Sequence, residues 1–287
     1  VKWPESDFNQ FLEVTVNSYS DISNAGWIEE LHYSIRSGGK RFRPALLYHA
    51  SQPNHVEKET VFRMASAVEL LHTASLIHDD LPQIDDDDYR RGHPSHHKVY
   101  GEGMAVVSAD YLFFLAFTVL SDIMSPELSR YFSQVSRDLA YGEALDINYE
   151  VREDVSEKEV LKMYRLKTAR LIEFSIAGPA VLMQQDKRHI ELVKSAGEEL
   201  GIAFQIMDDL KDRQGSLEEL GKTPGKDIKH GKKTLIGNNR LEAFEDRLES
   251  KKVSIYENLR EIKRHDQTDY TLLLDFLEET WNTIKKR

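Results

Sequence analysis

Leu71–Gly92 reads LHTASLIHDDLPQIDDDDYRRG, an apolar run that ends in six aspartates within ten residues and then two arginines. Upstream, Val61, Met64, Ala65, Val68, Leu71 and Ser75 or Leu76 recur at the three-and-four spacing of one helix face, so Glu57 to Ile77 reads as a helix. Asp79, Asp80, Asp85, Asp86, Asp87 and Asp88 then crowd like charges where the helix macrodipole is already negative, an unfavourable arrangement that a bound cation would relieve. Pro82 would clash with the carbonyl of His78 inside a helix, so a break is expected there. On an unbroken helix Asp79 and Asp85 would stand about 240° apart. The break can bring them to one site.

Helical periodicity continues on both sides. Met104 to Met124 is apolar nearly all round, which predicts a helix at the centre of a bundle. Ser125-Pro126-Glu127 reads as a helix start, and Ser156 with Glu159 as a capping box opening a helix toward Phe174. His189 to Lys211, Asn239 to Arg264 and Thr268 to Lys286 complete the helices; no period-2 strand and no internal repeat stands out. The fold class is all-α: a single domain over residues 1–287, a bundle of roughly ten or more helices around an apolar cavity.

Composition sets the outer bounds. The 287 residues carry 38 Lys+Arg against 49 Asp+Glu, and the formal charge of −11 disfavours a nucleic-acid binder. Only 15 glycines and 8 prolines argue against a turn-rich all-β chain, and the absence of cysteine removes disulfides, thiolate metal sites and a Cys nucleophile. The longest mainly apolar run, Tyr111 to Leu120, is short for a membrane span, and Val1-Lys2-Trp3-Pro4-Glu5 does not open like a signal peptide. The expected location is the cytoplasm.

A second acidic cluster follows a mostly apolar run. Asp208 and Asp212 lie four apart, on one helix face. Carboxylate sites with few histidines suit hard cations, above all Mg²⁺. Basic elements flank both clusters: Gly38-Gly39-Lys40-Arg41-Phe42-Arg43-Pro44 before the first, Arg90-Arg91 after it, and Gly221–Lys233 after the second, with five lysines, one aspartate and a net +4. Mg²⁺ with Lys and Arg is what holds a diphosphate, so the residues point to a diphosphate substrate at the mouth of a helical bundle. His78, His93, His96 and His97 show no clear ligand spacing, so no zinc site is expected. Asp86, Asp87 and Asp88 read as a solvated acidic edge, and Phe113, Phe114 and Phe117 as bundle core.

The chain resembles the trans-isoprenyl diphosphate synthases of the short-chain farnesyl and geranylgeranyl type. The resemblance rests on GGKRFRP (38–44), LHTASLIHDDLPQIDDDDYRRG (71–92), HHKVYGE (96–102), LKTARL (166–171), FQIMDDLKD (204–212) and GKTPGKD (221–227), in the family's order. It implies head-to-tail condensation. An allylic diphosphate (dimethylallyl, geranyl or farnesyl) loses pyrophosphate with help from Mg²⁺, and the double bond of isopentenyl diphosphate attacks. The departing pyrophosphate takes the proton. The resemblance further implies three Mg²⁺ ions, with Mn²⁺ as a substitute, and a homodimer.

Carried over by motif, Asp79, Asp85, Asp208 and Asp212 hold metal, and Arg90 binds the allylic diphosphate. Lys40, Arg43, His72 and Arg91 bind isopentenyl diphosphate, and Lys167, Thr168, Gln205, Lys222 and Lys232 complete the allylic pocket. Three departures stand out: Glu143 where the family usually has glutamine, Ala109-Asp110 for Gly-Asp, and Thr234-Leu235-Ile236 for Thr-Tyr-Pro. None falls on a metal or arginine position. The residues one turn below the first motif, Ala74 and Ser75, are small, which moves the expected tunnel floor to Leu70 or Leu71 and the product to C20 or a C15/C20 mixture.

Three rival readings remain at this level. A class I terpene cyclase shares the metal site but has no need of Lys40, Arg43 and Arg91 for a second diphosphate. A phosphohydrolase would use His78-Asp79. A non-catalytic family member or acidic interaction protein would not need the full set of diphosphate ligands.

Overall fold

The computed structural model describes residues 2–20, 24–214, 232–235 and 241–285. Twelve α-helices are described: α1 Glu5–Tyr19, α2 Ala25–Arg36, α3 Phe42–Ser51, α4 Lys58–Asp79, α5 His96–Tyr100, α6 Glu102–Ser121, α7 Pro126–Glu150, α8 Glu157–Tyr164, α9 Arg170–Leu182, α10 Lys187–Gln214, α11 Leu241–Asp266 and α12 Thr271–Lys285. The all-α reading is borne out. α4 lies along α6, α3 bridges α4 and α9, and α10 runs between α9 and α11. Met64, Val68, Leu112, Phe132, Phe174 and Val193 meet in the fully buried core.

Local chemistry sets the helix ends as expected. The Ser125 hydroxyl accepts from the Leu128 N–H at 3.3 Å, with Pro126 in the first turn. Ser156 and Glu159 form the reciprocal capping box, the Glu159 carboxylate accepting from the Ser156 N–H at 2.9 Å.

Three features depart from the sequence expectation. Tyr89–Arg90 and His93–Pro94 form two short antiparallel strands, β1 and β2. The turn between them places Arg91 at φ 56° and Gly92 at φ 79°, the paired positive angles that close a two-residue hairpin. Strands of two residues are too short for an alternating pattern. Next, the helix opened by Ser156 passes through a π-helical turn at Arg165–Ala169 before continuing as α9.

The third departure is α6. It is not enclosed all round: Ala105, Ala109, Leu112, Ala116 and Val119 are buried, while Val107 is 53% and Phe114 71% exposed. The expectation that Phe114 belongs to the core is corrected. By length and composition alone α6 is also apolar enough to cross a membrane, over more residues than the Tyr111–Leu120 run suggests.

Candidate active site

Helix α4 ends where Pro82 forbids its continuation, and the chain folds back on it. The N–H of Asp85 donates to the carbonyl of Asp79 at 2.8 Å, and that of Asp87 to Asp80 at 3.2 Å. Asp79 and Asp85 therefore line one cavity of about 340 Å³. Asp208 reaches it from α10, and Arg43 from α3.

On the cationic side, the buried carboxylate of Asp80 pairs with Arg90, which also reaches Asp87 at 3.3 Å. Burial pushes Asp80 up to about 6 despite the arginine beside it. Burial opposes the charge on Arg90, but Asp80 and Asp87 outweigh it and hold its pKa above the ordinary value. Arg91 donates to the carbonyl of Gly38 at 2.5 Å. Gly39 adopts φ 117°, a conformation that favours glycine, and its backbone lies close against the Arg91 guanidinium. Arg43 donates to His72 Nε2 at 3.2 Å, and its Nε is buried with no hydrogen-bond partner. Burial pushes Arg43 down to about 10, and burial with Arg43 close by pushes His72 well below its ordinary value. A neutral His72 thus aims Arg43, leaving an unused donor for an anion.

The π-helical turn carries Lys167 and Thr168 into the same cavity. Its seat is Gly142 of α7, where a Cβ would lie 2.2 Å from the Lys167 backbone nitrogen. Lys167 Nζ bonds Asp146 at 2.5 Å and Glu143 at 2.8 Å. Lys232 bonds Asp85 at 2.8 Å. Burial alone would raise Asp85, but Lys232 and Lys167 reverse it and hold the carboxyl below the usual range. Asp79 moves the other way: burial raises it strongly, with Glu143 and Asp85 adding to the effect. Thr168 donates to Gln205 at 2.6 Å, and Gln205 donates to Asp209 at 2.9 Å. Tyr164 donates to Asp209 and accepts from the Leu235 N–H at 3.0 Å, fixing the stretch that carries Lys232.

Beneath this polar chamber lies a second, largely apolar cavity of about 490 Å³. Leu71, Phe113, Phe117 and Ala140 line it, and Ser75, Asp79, Leu139 and Glu143 line both cavities. It offers room for a hydrocarbon below a diphosphate.

Most of the expected site residues thus converge. Asp79, Asp85, Asp208, Arg43, His72, Arg90, Arg91, Lys167, Thr168, Gln205 and Lys232 line the upper cavity, Ser75 the junction, and Leu71 the lower one. Lys40 is exposed and lines neither. Ala74 is fully buried and also lines neither. Lys222 and the Asp212 side chain lie outside the described residues. Sequence reading missed Glu143, Asp146, Asp80 and Asp209. The three-residue spacing of Glu143 and Asp146 on one helix face was the available signal. Glu143, although not itself at an expected metal position, acts electrostatically on Asp79.

Comparison with known proteins agrees with this geometry. A family model described as polyprenyl synthetase matches residues 26–271. The chain belongs to that family. The polyprenyl synthetase chain is 34% identical over 227 residues to the farnesyl diphosphate synthase of Bacillus subtilis, covering 76% of each. It is 38% identical over 230 residues to geranylgeranyl pyrophosphate synthase 4 of Arabidopsis thaliana, covering 76% of this chain and 62% of that one. Its fold matches the crystal structure of a geranyltransferase from Helicobacter pylori complexed with magnesium and isoprenyl diphosphate. The TM-score is 0.80 at 26% identity, covering 100% and 99% of the two chains. This polyprenyl synthetase is a trans-isoprenyl diphosphate synthase, an enzyme of the prenyltransferase class.

Proposed function

We propose that this synthase joins an allylic diphosphate to isopentenyl diphosphate head to tail, releasing pyrophosphate and giving a C20 product or a C15/C20 mixture. The observation that carries this reading is one polar chamber lined by five aspartates, Glu143 and six cationic side chains, sharing a wall with an apolar cavity. A single diphosphate would not need so many cations. Arg43 and Arg91 on one side, and Arg90, Lys167 and Lys232 on the other, provide for two.

The donor set fits Mg²⁺. Asp79, Asp85 and Asp208 offer only hard oxygen donors, and Glu143 Oε1 beside them is buried with no hydrogen-bond partner. Asp79, Asp85, Asp208 and Asp212 would hold the ions, which when bound neutralise charge on the leaving diphosphate. The chain's own groups do the rest. Lys167 and Lys232 stabilise charge growing on that leaving group, and Arg90, fixed by Asp80, orients it. Arg43, aimed by His72, and Arg91, held by Gly38, fix the second diphosphate. The apolar cavity keeps water from the allylic carbon while the new bond forms.

The reading also includes a homodimer packed through α6, supported by the exposed Val107 and Phe114 on that helix. Sedimentation of the wild type as a dimer and of Phe114→Glu as a monomer would support it; a wild-type monomer would remove it.

The deciding experiment supplies labelled isopentenyl diphosphate with dimethylallyl, geranyl or farnesyl diphosphate, with Mg²⁺ or with EDTA. Metal-dependent elongation is expected, with C20 the longest major product. No elongation by folded protein with any primer would overturn the reading.

A further inference from the structure

The aspartate-rich turn carries acidic residues that the proposed reaction does not use. Asp86, Asp88 and His97 each place one ligand atom within 4.8 Å of the others, and none of the three lines either cavity. An acidic pair at the surface is common and means little alone. The histidine is what sets this group apart.

His97 is only 6% exposed. Its Nδ1 lies 3.2 Å from the Ser95 hydroxyl, and that hydroxyl donates its own proton to the carbonyl of Asp87 at 2.5 Å. Ser95 Oγ can therefore only accept from the ring, which places the imidazole proton on Nδ1. Nε2 is left as a bare lone pair, buried and without a hydrogen-bond partner. Burying an acceptor with nothing to accept is unfavourable, so such an atom calls for an occupant. A histidine whose other nitrogen donates to a fixed neighbour is the usual form of a metal-ligating imidazole.

The frame around it is held by hydrogen bonds. The N–H of Ser95 donates to the carbonyl of Asp88 at 2.9 Å, so Ser95 clamps both Asp87 and Asp88 two residues before His97. The β1–β2 hairpin closes the segment between them. That tertiary closure is why positions 86, 88 and 97 show no recognisable ligand spacing. Lys98 Nζ sits 2.6 Å from Asp88, so an ammonium already supplies positive charge there and an incoming cation would displace it.

We propose that Asp86, Asp88 and His97 form a further cation site on the aspartate-rich turn, apart from the ions that serve the diphosphates. One imidazole nitrogen and two carboxylates favour a divalent ion of the Zn²⁺ or Mn²⁺ class over Mg²⁺ or Ca²⁺. Two carboxylates also match its charge. A cation bound there braces the turn that presents Asp85 to the cavity.

The test is binding to the full chain without diphosphate, so it is independent of whether the enzyme elongates any primer. Zn²⁺ is titrated while the side-chain ¹⁵N resonance of His97 Nε2, assigned by its loss in His97→Gln, is followed. A saturable shift is expected in the wild type and in Asp79→Asn/Asp208→Asn, with no comparable response to Mg²⁺. Binding should weaken at least about tenfold in Asp86→Asn/Asp88→Asn and tighten about threefold in Lys98→Met. Circular dichroism checks that the variants are folded, and Asp86 and Asp88 are exposed. An unmoved Nε2 resonance, or unchanged affinity in the folded double variant, would overturn the site. An equal response to Mg²⁺ would overturn the ion class.

Discussion

Glu143 holds Lys167 at 2.8 Å through one carboxylate oxygen while its other oxygen is buried with no hydrogen-bond partner. The pair sits beside Asp79, whose pKa Glu143 helps to raise. Glu143 therefore adds negative charge where an anionic substrate must bind and where cations are expected. Replacing it with the family's usual glutamine separates the two effects. For Glu143→Gln, the KM for the allylic diphosphate should fall and the Mg²⁺ concentration at half-maximal rate should rise, each by about threefold to tenfold. Initial rates over a grid of Mg²⁺ and substrate concentrations check this. A change in neither would show that Glu143 only props Lys167.

Product length should follow the walls of the lower cavity. Ser75 lines the junction of the two cavities, whereas Ala74, one residue earlier, is fully buried and lines neither. Ser75→Phe should therefore shorten the product by one isoprene unit. Phe117→Ala, which removes a bulky side chain from the same cavity, should lengthen it. Ala74→Tyr, the change that motif position alone suggests, should cost stability before it changes chain length, because overfilling a packed site typically costs about 1–3 kcal/mol. Chain-length analysis of products from labelled isopentenyl diphosphate, alongside urea midpoints, separates these outcomes.

The helices were legible because each buries one face, and burial writes a 3.6-residue period into the sequence. Ser125 and Ser156 were legible because a cap is a local contact over three residues. The break at Pro82 was legible for the same reason, and with it the meeting of Asp79 and Asp85. α6 was misjudged because an apolar residue bound for the core and one left at the surface look alike in sequence; Leu112 and Phe114 differ only in what stands opposite. The Glu143–Asp146–Lys167 cluster was hidden for a tertiary reason. It exists only because Gly142 lets the π-helical turn approach α7, and residues 142 and 167 are distant in the chain.

His49 contributes a loss of stability below neutral pH. His49 is 5% exposed and stacks on Phe276 at 4.7 Å, and burial pushes its pKa from 6.5 down to about 4. Between those values the unfolded chain takes up the proton and the folded chain does not, so stability is full above about 6.5 and is lost as pH falls toward about 4. His32, lowered mainly by burial, acts in the same direction. In His49→Leu, the loss of stability between pH 7.5 and 4.5 should shrink by about 1–2 kcal/mol, allowing for solvent screening of the ring. Urea midpoints of both proteins at the two pH values measure it. Parallel pH profiles would show that His49 titrates normally.

The seat of Lys167 gives a last expectation, in which fold and chemistry fail together. A Cβ at Gly142 would meet the Lys167 nitrogen at 2.2 Å and its Cα at 2.6 Å, both backbone atoms that no rotamer change can clear. Gly142→Ala must then push α7 away from the π-helical turn or drive that turn toward the cavity. Either movement shifts Lys167 from Asp146 and Thr168 from Gln205, contacts of 2.5 Å and 2.6 Å. A helix-interior Gly→Ala change at an open position would stabilise by roughly 1 kcal/mol. Here the sign should reverse, to a loss of about 1–3 kcal/mol. Condensation activity should fall at least about tenfold in protein that is still folded, since a small misplacement of a charge-stabilising group is costly. A stabilised and fully active Gly142→Ala enzyme would show that the close approach of α7 is not what positions Lys167.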